Sequence, residues 1–134
     1  MAKLKSIKTD SKKSAEGIWF DYEMGIRLRI ARMGNKDFEE FVRSKQKTNI
    51  KGFRAKKITE EQAEAITQEA VARHVLVGWE NIEDDDGNPI PYSHEVALEF
   101  LNDPDLSDLR QFVLIQASDS ESYRLEAIEE AEEN

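Results

Sequence analysis

Glu16-Gly17-Ile18-Trp19-Phe20-Asp21-Tyr22, then Glu23-Met24-Gly25, then Ile26-Arg27-Leu28-Arg29-Ile30-Ala31: this stretch decides the fold class. Ile26, Leu28 and Ile30 alternate with Arg27 and Arg29, a period of two that buries one face of a strand and leaves the other wet. Trp19, Phe20 and Tyr22 suit the partner strand, and Gly25 supplies the turn. The pattern predicts a β-hairpin. Almost everything after it carries helical spacing, so we read the chain as mainly α (α+β): a small helical domain with an N-terminal β-hairpin.

Working outward, Gly34-Asn35 ends the hairpin, and Asn35 is a good N-cap for a helix through about Lys47. Phe38, Phe41 and Val42 place an apolar stripe on that helix. Residues 43–57 are rich in lysine and interrupted by Thr48, Asn49 and Gly52, which predicts a loop or a frayed helix end. Thr59-Glu60-Glu61-Gln62 has the form of a capping box. The helix it starts carries Ala63, Ile66, Ala70, Val71 and Val75 on one face. From Gly78 through Tyr92 the turn signals Asp86-Gly87 and Asn88-Pro89 predict a loop or a loose hairpin. Ser93 caps a short helix with Val96, Ala97, Phe100 and Leu101 inward, closed by Asn102-Asp103-Pro104. Leu106, Leu109, Phe112 and Val113 mark a further helix, its stripe widened by Leu114 and Ile115. Ser118-Asp119-Ser120 is placed to cap a last helix bearing Tyr123, Leu125, Ala127 and Ile128.

A length of 134 residues suits one domain. We expect that domain at 16–125, between a flexible basic N-terminal tail at 1–15 and an acidic C-terminal tail at 126–134. Residues 1–15 hold five lysines against one aspartate, whereas Glu126, Glu129, Glu130, Glu132 and Glu133 crowd the other end. Glutamates there face the negative end of a helix macrodipole and repel one another, so this end should fray unless a cationic partner orders it. The lack of cysteine excludes disulfides and thiolate metal sites. No apolar run follows the lysines of the N-terminus, and none reaches the length of a spanning helix, so a soluble chain without membrane contact is expected. A net charge of −9 disfavours phosphate backbones.

The acidic turn Asp84-Asp85-Asp86-Gly87 resembles a calcium loop only superficially. Aligning Gly87 to that loop's glycine puts Ile82 and Ser93 where oxygen-rich anchors belong, so a solvated turn is expected instead. His74 and His94 fall on different predicted helices with no further ligands, and ordinary structural roles follow. Phosphate-loop, dinucleotide and nucleophile-elbow patterns are absent. The carboxylates sit in surface runs rather than in contrasting environments. We therefore expect no catalytic residues, no metal and no cofactor. Lys45, Lys47, Lys51, Arg54, Lys56 and Lys57 surround Phe53, a composition seen in single-strand binders, but here a solvated loop or a contact for an acidic protein is preferred.

Glu16-Gly17-Ile18-Trp19, Leu28 to Arg32, Gly34-Asn35 and Phe38, followed by Gly78-Trp79-Glu80-Asn81-Ile82, the turn at Gly87, Ile90-Pro91-Tyr92-Ser93 and a helix with Glu95, together resemble the tail assembly chaperones of long-tailed (siphovirus-like) bacteriophages. The order and spacing of these blocks, over roughly residues 14–125, carry the likeness. It implies a small, mostly helical protein of the host cell cytoplasm, absent from the mature virion. Such a protein would bind the tape measure protein and assist tail tube assembly. Further implied partners are the tail tube protein, a longer frameshifted form of the same chain, and a second copy. A holding protein needs adaptable apolar surface. The candidates are Trp79, Ile90, Pro91 and Tyr92 around the loop, and Phe112 through Ile115 on the penultimate helix; ordinary core is the competing role for each. Two other functions compete: an acidic mimic of nucleic acid that blocks a basic protein, and a minor adaptor at the head–tail joint of the virion.

Overall fold

The computed structural model describes residues 1–51 and 58–125, with side chains through residue 46 and from residue 58. In chain order it contains α1 (Ser11–Glu16), β1 (Ile18–Asp21), β2 (Arg27–Ile30), α2 (Lys36–Lys51), α3 (Glu60–His74), β3 (Leu76–Glu80), α4 (His94–Asn102) and α5 (Ser107–Ala117). Short 3₁₀ turns at Leu4–Ile7, Glu23–Gly25, Pro104–Leu106 and Ser120–Tyr123 complete the described chain. The class is α+β, as the hairpin and the helical spacing predicted.

The hairpin forms where expected. β1 and β2 pair antiparallel with Ile18 opposite Ile30 and Asp21 opposite Arg27. Its turn closes through the Tyr22 amide donating to the Ile26 carbonyl at 2.7 Å. Two successive left-handed residues are needed there, Met24 at φ 59° and Gly25 at φ 80°, and only the glycine adopts that geometry without steric cost. β3 then adds to the free side of β2, with Leu28 opposite Trp79 and Arg29 opposite Gly78, giving an antiparallel sheet in the order β1-β2-β3. This third strand corrects the expectation that Val75 ends a helix and a loop begins near Gly78. A register irregularity between Arg29 and Ile30 breaks the alternation on β3. Its short apolar run therefore carries no clean period of two.

Helices cover one face of the sheet. Leu28, Ile30, Leu76 and Trp79 point into a core completed by Val71, Ala72 and Val75, by Ala97 and Leu101 of α4, and by Leu109, Val113 and Ala117 of α5. Each fully buried aliphatic side chain contributes ~1.5–3 kcal/mol. The predicted caps are present. Asn35 Oδ1 accepts from the Phe38 amide at 3.0 Å, and its Nδ2 donates to the carbonyls of Arg32 and His74, so this buried amide starts α2 and ties it to α3. Thr59 and Gln62 form the reciprocal capping box. α2 runs to Lys51, past its predicted end, so much of the expected loop at 43–57 is helix; residues 52–57 lie outside the described residues.

Residues near the start of the chain are tied to the end of the described chain. Asp10 caps α1 by accepting from the amides of Lys12 and Lys13. The Lys13 ammonium, on a buried side chain, donates to the Arg124 carbonyl at 2.8 Å. Asp10 N donates to Tyr123 O, and Leu125 N donates to Lys8 O. Residues 8–16 are therefore clasped to residues 123–125 rather than loose, while residues 1–9 are exposed. Of the predicted last helix the described residues form a 3₁₀ turn capped by Asp119, after which Arg124 is extended and bridges Thr9. Its continuation through Ile128, and the acidic tail at 126–134, lie outside the described residues.

Candidate partner-binding surface

The loop after β3 is built on Trp79. Its indole stacks on Phe100 (centroids 5.1 Å apart, 26° between planes), meets Tyr92 edge-on at 4.9 Å, and donates from Nε1 to the Ile90 carbonyl at 2.7 Å. The Tyr92 hydroxyl lies 2.7 Å from the Leu76 carbonyl and 2.9 Å from that of Ala72. Trp79 is buried and Tyr92 half-buried, so neither is the adaptable surface the sequence suggested. A ring that stacks inside the core and spends its one donor on a loop carbonyl holds the loop in place. Tyr92 immediately precedes the N-cap Ser93, the position where a hydrophobic staple packs inward, and this is the signal that places it inside.

These two rings present Ile90 and Pro91. Ile90 N donates to Ile82 O at 2.8 Å, and Glu83 bridges Pro89, folding the loop back along the outer edge of β3. The fold leaves a cleft of about 510 Å³ lined by Trp79 to Glu83 and by Pro89, Ile90 and Pro91. Ile82 and Pro89 are lining residues that sequence reasoning missed; the Pro-Ile-Pro run flanking a closed turn was their only signal. Beyond the cleft, Asp84 Oδ1 accepts from the amides of Asp86 and Asn88 at 2.9 Å each. That carboxylate closes a solvated turn, as expected, and the exposed Glu83 adds a carboxylate to the lining of the cleft.

The second predicted surface divides. Phe112 packs on Tyr22 (4.8 Å) and edge-on to Phe20 (6.5 Å), docking α5 to the hairpin. Ile115 remains 65% exposed. The structure therefore keeps Pro91 and Ile115 toward solvent, half-buries Ile90 against the core, and turns Trp79, Tyr92 and Phe112 toward packing. His94 Nδ1 lies 3.3 Å from the Tyr92 hydroxyl, and His74 packs against Phe41. No group of three or more histidine, aspartate or glutamate side chains among the described residues is placed to hold a metal ion.

Burial raises the Tyr92 hydroxyl to about 12, Arg73 opposing weakly, and raises that of Tyr123 further. In the unfolded chain both ionise near 10.0. Above that pH the folded state holds more protons than the unfolded one, so stability is undiminished below pH 10 and falls as pH rises through the folded values. Urea midpoints are expected to drop steeply above pH 10, with a shallower drop in Tyr92→Phe. Tyrosinate absorbance of the native protein should lag that of the unfolded chain over the same range.

Helices packed on one face of a three-stranded antiparallel sheet make this a small α+β domain, and no helix among the described residues is long and apolar enough to cross a membrane. A family model described as the YdaY prophage protein matches residues 33–134, and the chain belongs to that family. Phage origin, implied by the resemblance, therefore holds. Neither the curated proteins nor the solved structures give a match.

Proposed function

We propose that the protein is a phage tail assembly chaperone that holds the tape measure protein in the host cytoplasm without catalysing a reaction. The observation that carries this reading is the cleft lined by Ile82, Pro89, Ile90 and Pro91 beside the Glu83 carboxylate, fixed in place by the Trp79–Phe100–Tyr92 stack. Ile82, Pro89, Ile90 and Pro91 supply contact area for an apolar segment, and Glu83 favours one with a flanking basic residue. Membership of a prophage family supports a role in the phage cycle.

Co-expression with the tape measure protein tests the reading. The partner is expected to become soluble and to co-purify. Pro91→Asp and Glu83→Lys, both at exposed positions, should weaken capture by about tenfold, the effect of losing one interface contact worth roughly 1.4 kcal/mol. A partner left insoluble by the unmodified chain would refute the chaperone role. Undiminished capture by both variants would move the contact elsewhere, Ile115 being the next surface to change.

A further inference from the structure

The two edges of the sheet are treated differently. On the β3 side, the Tyr92 hydroxyl meets the Leu76 carbonyl and the Ile82–Ile90 pairing continues the edge. On the β1 side no strand among the described residues pairs with Ile18–Asp21. The sheet face turned away from the helices carries Trp19, Arg29 and Gly78 in one cross-strand row and Asp21, Arg27 and Glu80 in the next.

In the second row charge is balanced within the chain. Arg27 pairs with Asp21 at 3.2 Å and with Glu80 at 3.6 Å, and its guanidinium lies 5.2 Å from the centre of the Trp19 ring. The first row is not balanced. A side chain at Gly78 would meet both Trp19 Cη2 and the Arg29 stem. The indole therefore reaches across Arg29 into the room that the glycine leaves. Arg29 Nε is buried with no hydrogen-bond partner, and no ion pair among the described residues involves Arg29. A buried donor on a charged group without an acceptor costs stability, and natural chains keep such costs mainly where function uses them. Trp19, over a third exposed, sits beside it as an apolar platform.

We propose that this sheet face docks an extended, carboxylate-bearing segment of a partner protein, which lies along β1, packs on Trp19 and places a carboxylate on the Arg29 guanidinium. The fork of arginine matches a carboxylate with two parallel hydrogen bonds. An unpaired edge strand favours an extended guest. On a chain of net charge −9, one uncompensated arginine beside a tryptophan selects for a defined acidic contact over diffuse attraction. Trp19 and Arg29 lie outside the lining of the cleft beside β3, and the proposal does not depend on the chaperone reading.

The test is a titration of the full chain with a short peptide alternating valine and glutamate, followed by the Trp19 indole and Arg29 Nε proton resonances. Both are expected to shift, while the Trp79 indole, bonded to Ile90, stays in place. The same peptide with glutamine for glutamate should bind about tenfold more weakly, as loss of a charge-assisted bond predicts. Arg29→Met should remove binding while leaving the melting temperature unchanged or higher, and Trp19→Ala should weaken binding with the fold intact. Equal binding of the glutamine peptide, unmoved Trp19 and Arg29 signals, or a lowered melting temperature in Arg29→Met would overturn the proposal. So would an equal response to inorganic phosphate, which would make the site a general anion contact.

Discussion

Tyr123→Ala is expected to destabilise the fold by ~3–5 kcal/mol, the range for removing a fully buried aromatic ring. Tyr123 is completely buried and is the largest such side chain among the described residues. Its hydroxyl donates to the Ile30 carbonyl at 2.9 Å, at the point where β2 leaves the sheet. The substitution empties the space beneath that turn and strands the carbonyl. Domains of this size are stable by about 5–15 kcal/mol in total, so the loss is a large share. Urea unfolding checks it. Tyr123→Phe, which keeps the ring, should cost only about 1 kcal/mol for the missing hydrogen bond. A loss near that size for the alanine variant would mean the 3₁₀ turn collapses to refill the space.

Trp79→Ala is expected to cost a similar ~3–5 kcal/mol and to disorganise the cleft at the same time. The indole holds three features together: the stack on Phe100, the edge contact with Tyr92 and the bond to Ile90. Loss of partner capture in this variant would therefore report loss of the scaffold. Trp79→Phe separates the two effects, because it keeps ring packing and gives up only the bond to the loop. Thermal melts of the alanine, phenylalanine and Pro91→Asp chains should rank in that order from least to most stable. A Trp79→Ala protein melting with the unmodified chain would place the ring outside the core.

Local chemistry was legible in the sequence, and long-range packing was not. Asn35, Thr59, Gln62, Ser93 and Asp119 cap through bonds spanning two or three residues, which a linear reading can see. The hairpin was legible because Leu28 and Ile30 alternate with arginines. β3 was not, because Val75-Leu76-Val77 is equally apolar as a helix end and the register irregularity removes the alternation. The clasp at Lys13 was hidden for another reason: five lysines among fifteen residues read as a solvated tail, while their partners lie at 123–125. In the candidate site, the turn and the exposed Pro91 were legible. The inward direction of Trp79 and Tyr92 was not, since Phe100, which covers Trp79, arrives from another helix.

That same clasp sets an order of events during synthesis. A nascent chain that has emerged through α5 already holds every strand of the sheet. It still lacks the ring under Ile30 and the carbonyl that receives the Lys13 ammonium, 93 and 111 residues distant along the chain. Closing such a span carries an entropy cost that grows with the logarithm of its length. The segment around α1, translated first, is held until then through Arg32, whose amide donates to the Ser14 carbonyl and whose guanidinium donates to Thr9, and its bonds to residues 123–125 form last. Until residue 125 clears the ribosome, the backbone bonds of Lys8 and Asp10 to residues 125 and 123 cannot form, and the segment before α1 stays unlatched.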